Sequence, residues 1–399
     1  VTLKGIVVDA TATTKPIAGA RVVARDENGA AIANVAITDA NGAYALVVPA
    51  VRDASGAPLA TRYTLRADAT GYQTFPGGLR VALPLDVRTA AGSPPVLENA
   101  ATTVALYPHS GSDFGSISGV VKADHPGGVL VVAETQGAQA SGVADKSGAY
   151  TIFNLPKGAY DVKGYAAGLN LSPANATVNV GAETTGIDLN TASGALGTVS
   201  GSVSIVNASG GSSTSIVLAV ESTFGEALGR GEVPRGLRGP NVSGAFTIAD
   251  VPQGKYVVLA AFENDKLVRD PDTSIGNTAT LHITVAGAPV DAGNFKVTEA
   301  LDVVRPGAVQ IETAVMPLML VWADDSSEDR YLVEVFDNFG TKIWFNDNVP
   351  SVKGSKDVSV PYGGPPLTSG GYYQFRATSM KDGVPISRTE DLLGVFVAP

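Results

Sequence analysis

Apolar runs of roughly four to eight residues recur along the whole chain, many alternating with polar positions and nearly all bounded by Gly, Pro, Asn or Asp, a pattern that predicts strands. Leu3-Lys4-Gly5-Ile6-Val7-Val8 and Arg21-Val22-Val23-Ala24-Arg25 predict the first two, on either side of Pro16-Ile17-Ala18-Gly19-Ala20. A hairpin follows at Thr38-Asp39-Ala40-Asn41-Gly42-Ala43-Tyr44-Ala45-Leu46. There an Asp side chain accepts from backbone N–H groups, Gly supplies the positive φ of the turn, and the aromatic starts the returning strand.

That hairpin is repeated. A near copy stands at Ala144-Asp145-Lys146-Ser147-Gly148-Ala149-Tyr150-Thr151-Ile152 and a looser one at Pro240-Asn241-Val242-Ser243-Gly244-Ala245-Phe246-Thr247-Ile248. The opening strand restarts as Ile117-Ser118-Gly119-Val120-Val121 and as Val199-Ser200-Gly201-Ser202-Val203. Asn154-Leu155-Pro156-Lys157-Gly158-Ala159-Tyr160 and Asp250-Val251-Pro252-Gln253-Gly254-Lys255-Tyr256 share a second signature, in which Pro stops one strand, Gly turns and Tyr starts the next. Repeats of about a hundred residues are domains, longer than the units of solenoids. The chain therefore divides into units at 1–110, 111–194, 195–299 and 300–399, joined by Gly- and Ser-rich linkers near 108–115 and 190–197. Residues 49–62 form an insertion, 83–101 a long loop or surface excursion, and 224–238 an extra loop peculiar to the third unit.

The fourth unit has its own pattern. Leu318, Leu320 and Trp322 alternate, Tyr331-Leu332-Val333-Glu334-Val335-Phe336 is a strand, and Asn338-Phe339-Gly340 turns into Thr341-Lys342-Ile343-Trp344. Leu367 precedes Tyr373 by six residues, and Phe375 and Ala377 alternate after it.

In this order the signatures of residues 1–298 resemble the carboxypeptidase regulatory-like domain, a prealbumin-like seven-stranded sandwich that is also similar to Cna-B repeats. The third unit departs from the pattern with Asn241 and Phe246 in place of Asp and Tyr. Residues 306–397 resemble a fibronectin type III domain, whose Leu-to-Tyr spacing makes a tyrosine corner. The resemblances imply an all-β chain of tandem β-sandwich domains, three prealbumin-like and one fibronectin type III-like, with almost no helix. They also imply a non-catalytic accessory or spacer role in secreted or surface proteins, not a peptidase. An intramolecular isopeptide bond of the kind found in some Cna-B domains would use Lys4, but no matching Asn is evident at the end of the unit.

Composition narrows the partners. A formal charge of −10 without clusters of Lys and Arg argues against nucleic acid. The chain has no Cys, hence neither disulfides nor thiolate metal sites. Its longest apolar stretch, 314–323, is about half a membrane span and holds Pro317. The first residue is Val and not Met, so a leader that has been removed or lies outside the numbering is expected, with export to the extracellular space or a bacterial surface.

A search for reactive groups yields little. His109, His125 and His282 stand in unrelated contexts outside any ligand spacing, no G-x-S-x-G elbow occurs, and Gly254-Lys255-Tyr256 lacks the rest of a phosphate loop. Asp324-Asp325-Ser326-Ser327-Glu328-Asp329 lacks the glycine of a calcium loop and reads as a solvated inter-strand loop; Glu263, Asp265, Asp270 and Asp272 mark another exposed segment. No enzyme, metal or cofactor is expected. Among the aromatics of the last unit, Trp322 and Tyr373 fit core positions, leaving Trp344, Tyr362 and Tyr372 as candidates for a partner-binding platform. The favoured expectation is a structural protein, a rod of four sandwiches serving as spacer or as subunit of a surface filament, with self-assembly through an edge strand such as 3–8 or 395–398. The alternative is an adhesion module that binds a glycan or a protein through its loops or last domain.

Overall fold

The computed structural model describes residues 1–111, 113–136, 138–208, 210–226, 229–260, 265–269, 280–325, 327–352 and 357–399. The chain is all-β, and the described residues form eight sheets that pair into sandwiches. The only helical pieces among the described residues are three 3-10 turns of three residues each.

The first three units share one topology. In the second, Ala149–Pro156, Phe114–Lys122 and Glu183–Thr184 form one sheet in that order, and Ala138–Val143, Leu130–Thr135, Gly158–Tyr165 and Ala174–Val178 form the other. The third repeats this with Ala245–Val251, Gly197–Val206 and Pro289–Glu299 against Arg238–Val242, Thr214–Val220, Gly254–Ala260 and Leu281–Val285. In the first, Thr2–Asp9 lies between Ala43–Val47 and the parallel strands Val96–Leu97 and Val104–Leu106. Its second sheet is Ala31–Ile37, Arg21–Arg25, Arg62–Asp68 and Leu85–Asp86.

The repeated signatures act as the residue chemistry requires. Asp39 Oδ1 accepts from the N–H of Asn41 at 2.8 Å and of Ala43 at 2.9 Å, and Asp145 does the same to Ser147 and Ala149. The aromatic that follows points inward, and its hydroxyl donates to a carbonyl just ahead of the unit's last strand: Tyr44 to Thr102, before Val104–Leu106, and Tyr150 to Ile187, before Leu189–Asn190. Those carbonyls crowd the first strand, so a Cβ at Gly5 would lie 2.1 Å from Thr102 O and one at Gly119 2.0 Å from Ile187 O. The glycine of the opening strand is thus required by the tyrosine of the hairpin. In the second signature Tyr160 and Tyr256 bond the carbonyls of Pro156 and Pro252, four residues back, at 2.9 and 2.8 Å.

The fourth unit pairs a sheet of Val303–Arg305, Met319–Ala323 and Asp357–Pro361 with one ordered Glu312–Thr313, Val395–Val397, Tyr372–Lys381, Arg330–Asp337 and Lys342–Pro350. Trp322 and Phe375 are fully buried between them. Tyr373 Oη accepts from Thr368 N at 2.9 Å and so ties the start of its strand to the preceding loop.

Three expectations need correction. Residues 83–101 are a surface excursion only in their middle: 91–94 are exposed, but Leu83, Leu85, Val87 and Leu97 are buried, and the last three belong to the first unit's main core. The strands offered for assembly are not edges, because Thr2–Asp9 is paired on both sides and Val395–Val397 lies between Tyr372–Lys381 and Glu312–Thr313. Nor do the units line up as a rod, since the first meets all three others. Val23 packs on Val143 of the second unit, Ala30 on Val217, Ala219, Val257 and Leu259 of the third, and Val81 and Leu83 on Phe336 of the fourth.

Surface area gives the scale of these contacts. One globule of this mass would expose about 14,600 Å² and four separate globules of a quarter the mass about 21,000 Å². The chain exposes 16870 Å², so contacts between units hide on the order of 4,000 Å², more than two interfaces of standard size. No helix among the described residues is long and apolar enough to cross a membrane.

Candidate functional site at the junction of the units

The joints between units are where buried polar chemistry concentrates. Each of the first three sandwiches has its second sheet covered on the outside by another unit. In the second unit Val131 and Ala133 face their own core, while Leu130, Val132 and Tyr165 join the third unit's core beside Leu237 and Tyr256. In the third, Ile216, Leu218 and Val220 face inward and Val217 and Ala219 meet Ala30 of the first. With the contact of Val23 on Val143, the three close head to tail: second on first, third on second, first on third.

At the closing seam lies Arg66, 1% exposed. Its Nε donates to Asp68 Oδ2 at 2.8 Å, its Nη2 to Ser141 O of the second unit at 2.7 Å, and its Nη1 stands 3.1 Å from Glu232 Oε1 of the third. Arg25 Nη2 meets the same carboxylate at 2.7 and 2.5 Å. Burial alone would lower the Arg66 pKa, but Asp68 and Glu232 outweigh it and raise the value above its ordinary one. Burial likewise pushes Glu232 up, and Arg25 and Arg66 more than offset this to hold its carboxyl below the usual range. A guanidinium with carboxylate partners on two sides is the arrangement in which a buried charge is tolerated.

Glu232 belongs to the extra loop of the third unit, and residues 229–238 of that loop reach every other unit. Arg230 pairs with Asp391 of the fourth, Val233 forms a β-bridge with Ala30 of the first, and Arg235 donates to the carbonyls of His125 and Gly127 of the second. The sequence showed the insertion but not its destination. The signal available was the unbroken apolar character of Leu130-Val131-Val132-Ala133 and Ile216-Val217-Leu218-Ala219-Val220, which marks strands buried on both faces.

The sequence-derived aromatics fall in two places. Trp344 and Tyr362 make an edge-on pair with ring centres 5.3 Å apart, and Tyr362 Oη donates to Pro365 O at 2.9 Å. Gly363 and Gly364 lie against this pair, so the loop after Tyr362 folds onto Trp344. Tyr372 is elsewhere, packed against the first unit's core and beside Val81, Leu83 and Phe336. The structure brings Trp344 and Tyr362 together and puts Tyr372 in the joint between the first and fourth units.

The histidines are scattered. His109 packs on Phe114 with centres 4.4 Å apart, and His282 Nδ1 lies 2.8 Å from Glu221. His125 lends its carbonyl to Arg235 at 3.1 Å. Asp325 accepts from Ser327 and from Ser379, and Asp324 from the hydroxyl of Tyr331, so both carboxylates brace their own loop. Asp265 accepts from Thr214, while Glu263, Asp270, Asp272 and Ser326 lie outside the described residues. No group of three or more His, Cys, Asp or Glu among the described residues is placed to hold a metal ion. A cleft of about 800 Å³ between the second and third units is lined by Glu134, Lys163, Asn170, Gln253 and Lys255, with Glu134 already bonded to Lys163 at 2.9 Å and to Ser222 at 2.5 Å.

No protein-family model matches the chain, and no curated protein matches it. Among solved structures, the Bacillus anthracis TIE protein is 14% identical over 96% of this chain and 68% of its own, with a TM-score of 0.17. The major pilin subunit of Bacillus cereus is 9% identical, covering 75% of this chain and 99% of its own at a TM-score of 0.20. The shaft pilin SpaA of Lactobacillus rhamnosus GG is 13% identical, covering 48% and 97%, also at 0.20.

Proposed function

We propose that this chain is a non-catalytic structural protein of an extracellular or bacterial cell-surface assembly, working as a compact block of four sandwiches with unit boundaries near 110, 194 and 300. In this reading units one to three are of the carboxypeptidase regulatory-like kind and the fourth is fibronectin type III-like. The observation that supports it is the use of buried charge. Arg66, Glu232 and Arg25 join sandwiches to one another instead of lining a cavity with a reactive group. A chain selected to hold a shape spends its polar groups on joints, whereas a catalyst converges them on a substrate.

Partners in this reading are proteins, including further copies of the chain. Trp344 and Tyr362 remain the proposed contact residues, and a glycan is the less supported ligand because Tyr372 faces the first unit. The test is negative-stain microscopy and sedimentation of the purified chain over a range of concentrations, together with surface labelling of cells that express it. Ordered assemblies and surface label are expected. A strictly monomeric chain that stays inside the cell would overturn the proposal, and specific capture on a glycan array would replace it with the adhesion reading.

A further inference from the structure

We propose that residues 229–238 of the third unit are a latch that holds the four sandwiches closed, and that releasing it lets the chain open into an extended string while each sandwich stays folded. The first unit has no chain connection to the third or fourth that would force it against them. It is held there by what it touches: on the third unit, the apolar face of Val217, Ala219, Val257 and Leu259, and the polar groups of this one segment.

Three features support a separable latch over a continuous core. The first is geometric: Arg230 reaches the fourth unit through Asp391, and Glu232 and Val233 reach the first through Arg25, Arg66 and Ala30, so one segment bonds to both. The seam between the first and fourth units is then held in register, with Asn338 Nδ2 donating to Ala100 O at 3.1 Å and Val81 N to Gly340 O at 3.1 Å. The second is chemical. The ion pairs that tie Arg25 and Arg66 to the third unit use one carboxylate, and the two guanidiniums share it. Removing that charge leaves Arg25 without its carboxylate and Arg66 with Asp68 alone in a water-poor seam, which disfavours closure more than loss of a surface pair would. The third is topological, because the first and third units are built on different cores: Leu3, Val7, Tyr44 and Leu65 in the first, and Val199, Phe246, Ile248 and Val258 in the third, where Leu130, Val132 and Tyr165 of the second unit join them.

Opening has a consequence for contacts. It uncovers Val217, Ala219, Val257 and Leu259 on the outer face of the third unit's sheet, an apolar face that Ala30 and Val233 cover in the closed chain. The latch therefore also controls access to a hidden adhesive surface.

The test uses the full chain, which has no native Cys. Glu232→Arg is made alone and together with Ala30→Cys and Val233→Cys, whose backbones are bridge partners in the closed form. A compact chain of this length has a radius of gyration of about 21 Å, and four sandwiches in a row about twice that. Small-angle scattering of Glu232→Arg is expected to move towards the larger value, an increase of roughly 1.5- to 2-fold, with an unchanged far-ultraviolet spectrum. The triple variant should be compact when oxidised and expanded when reduced. An unchanged radius in the reduced triple variant overturns the latch. So does an expansion accompanied by loss of the β spectrum, because the sandwiches themselves would then have failed.

Discussion

Asn154 of the second unit grips the loop at Gly71 of the first from both sides. Its Oδ1 accepts from Gly71 N at 2.7 Å, and its Nδ2 donates to the carbonyls of Ala69 at 2.9 Å and Tyr72 at 2.7 Å. The same joint recurs one unit on, where Gly168 N donates to Asp250 O at 2.8 Å. Asn154 and Asp250 both hold φ near +59, at 59° and 58°, in the residue before Leu155-Pro156 and Val251-Pro252. Asn154→Ala should therefore loosen the first joint by about 1–3 kcal/mol, the cost of stranding partly buried backbone groups. Denaturant unfolding of the full chain, with proteolysis near residue 71 as the local probe, should report the loss. No change in either would mean that water replaces the amide without penalty.

Removing residues 1–8 is expected to unfold the first sandwich and not merely trim it. Leu3 and Val7 are fully buried, and the strand that carries them is central in its sheet. Losing two buried side chains of this size costs about 4–10 kcal/mol, comparable to the whole stability of a domain. Rapid proteolysis of residues 9–107, with later units resistant, is the expected pattern. Persistence of a protected first unit would contradict it.

In the last unit Trp322→Ala should cost about 3–5 kcal/mol, since the indole is 0% exposed and contacts Tyr331 and Phe375 edge-on or tilted. Trp344→Ala should cost far less. With only two Trp in the chain, fluorescence-detected unfolding of each variant follows the other indole directly. Equal costs would show that Trp344 supports the core as much as Trp322 does.

Stability should fall as pH rises through a window set by Glu390. Burial, with the Asp265 carboxylate beside it, pushes this carboxyl up to about 8, against the lowering influence of Arg388 and of backbone N–H groups at Lys266 and Leu267. Between an unfolded value of 4.5 and that folded value, the folded chain holds a proton the unfolded chain has lost, so each step up in pH favours unfolding. Below about 4.5 both states are protonated and the penalty vanishes. Glu390→Gln should remove this slope and be the more stable protein at pH 8. Thermal unfolding of both chains at pH 5 and pH 8 checks the sign, and parallel slopes would refute it.

Much of the fold was legible because its signals are local. The turns at Asp39 and Asp145, the inward tyrosines at 44 and 150, and the buried positions of Trp322 and Tyr373 all follow from residues a few places apart. The burial of the 83–101 stretch is hard to read because it is rich in Pro, Ala and Gly, which mask the alternation of Leu83, Leu85 and Val87, all three buried. The joints were not legible for a different reason. An outward Val23, Val132 or Val217 reveals that a face is covered, but what covers it comes from a distant unit, and nothing in the spacing of Arg66 and Glu232 links them. Tyr372 shows the same limit, as an aromatic that looks available on its strand and is occupied by another sandwich.

The pairing of Arg25 with Glu232 spans 207 residues of sequence, and that distance sets a timetable during synthesis. At about 5–20 residues per second a ribosome needs roughly 10–40 s to deliver the carboxylate after the arginine has emerged. Within that interval the second unit, with Ser141 and Val143, is already made and can cover the first, but the carboxylate that Arg25 and Arg66 share is still missing, so the three-unit junction closes only as a late act of maturation.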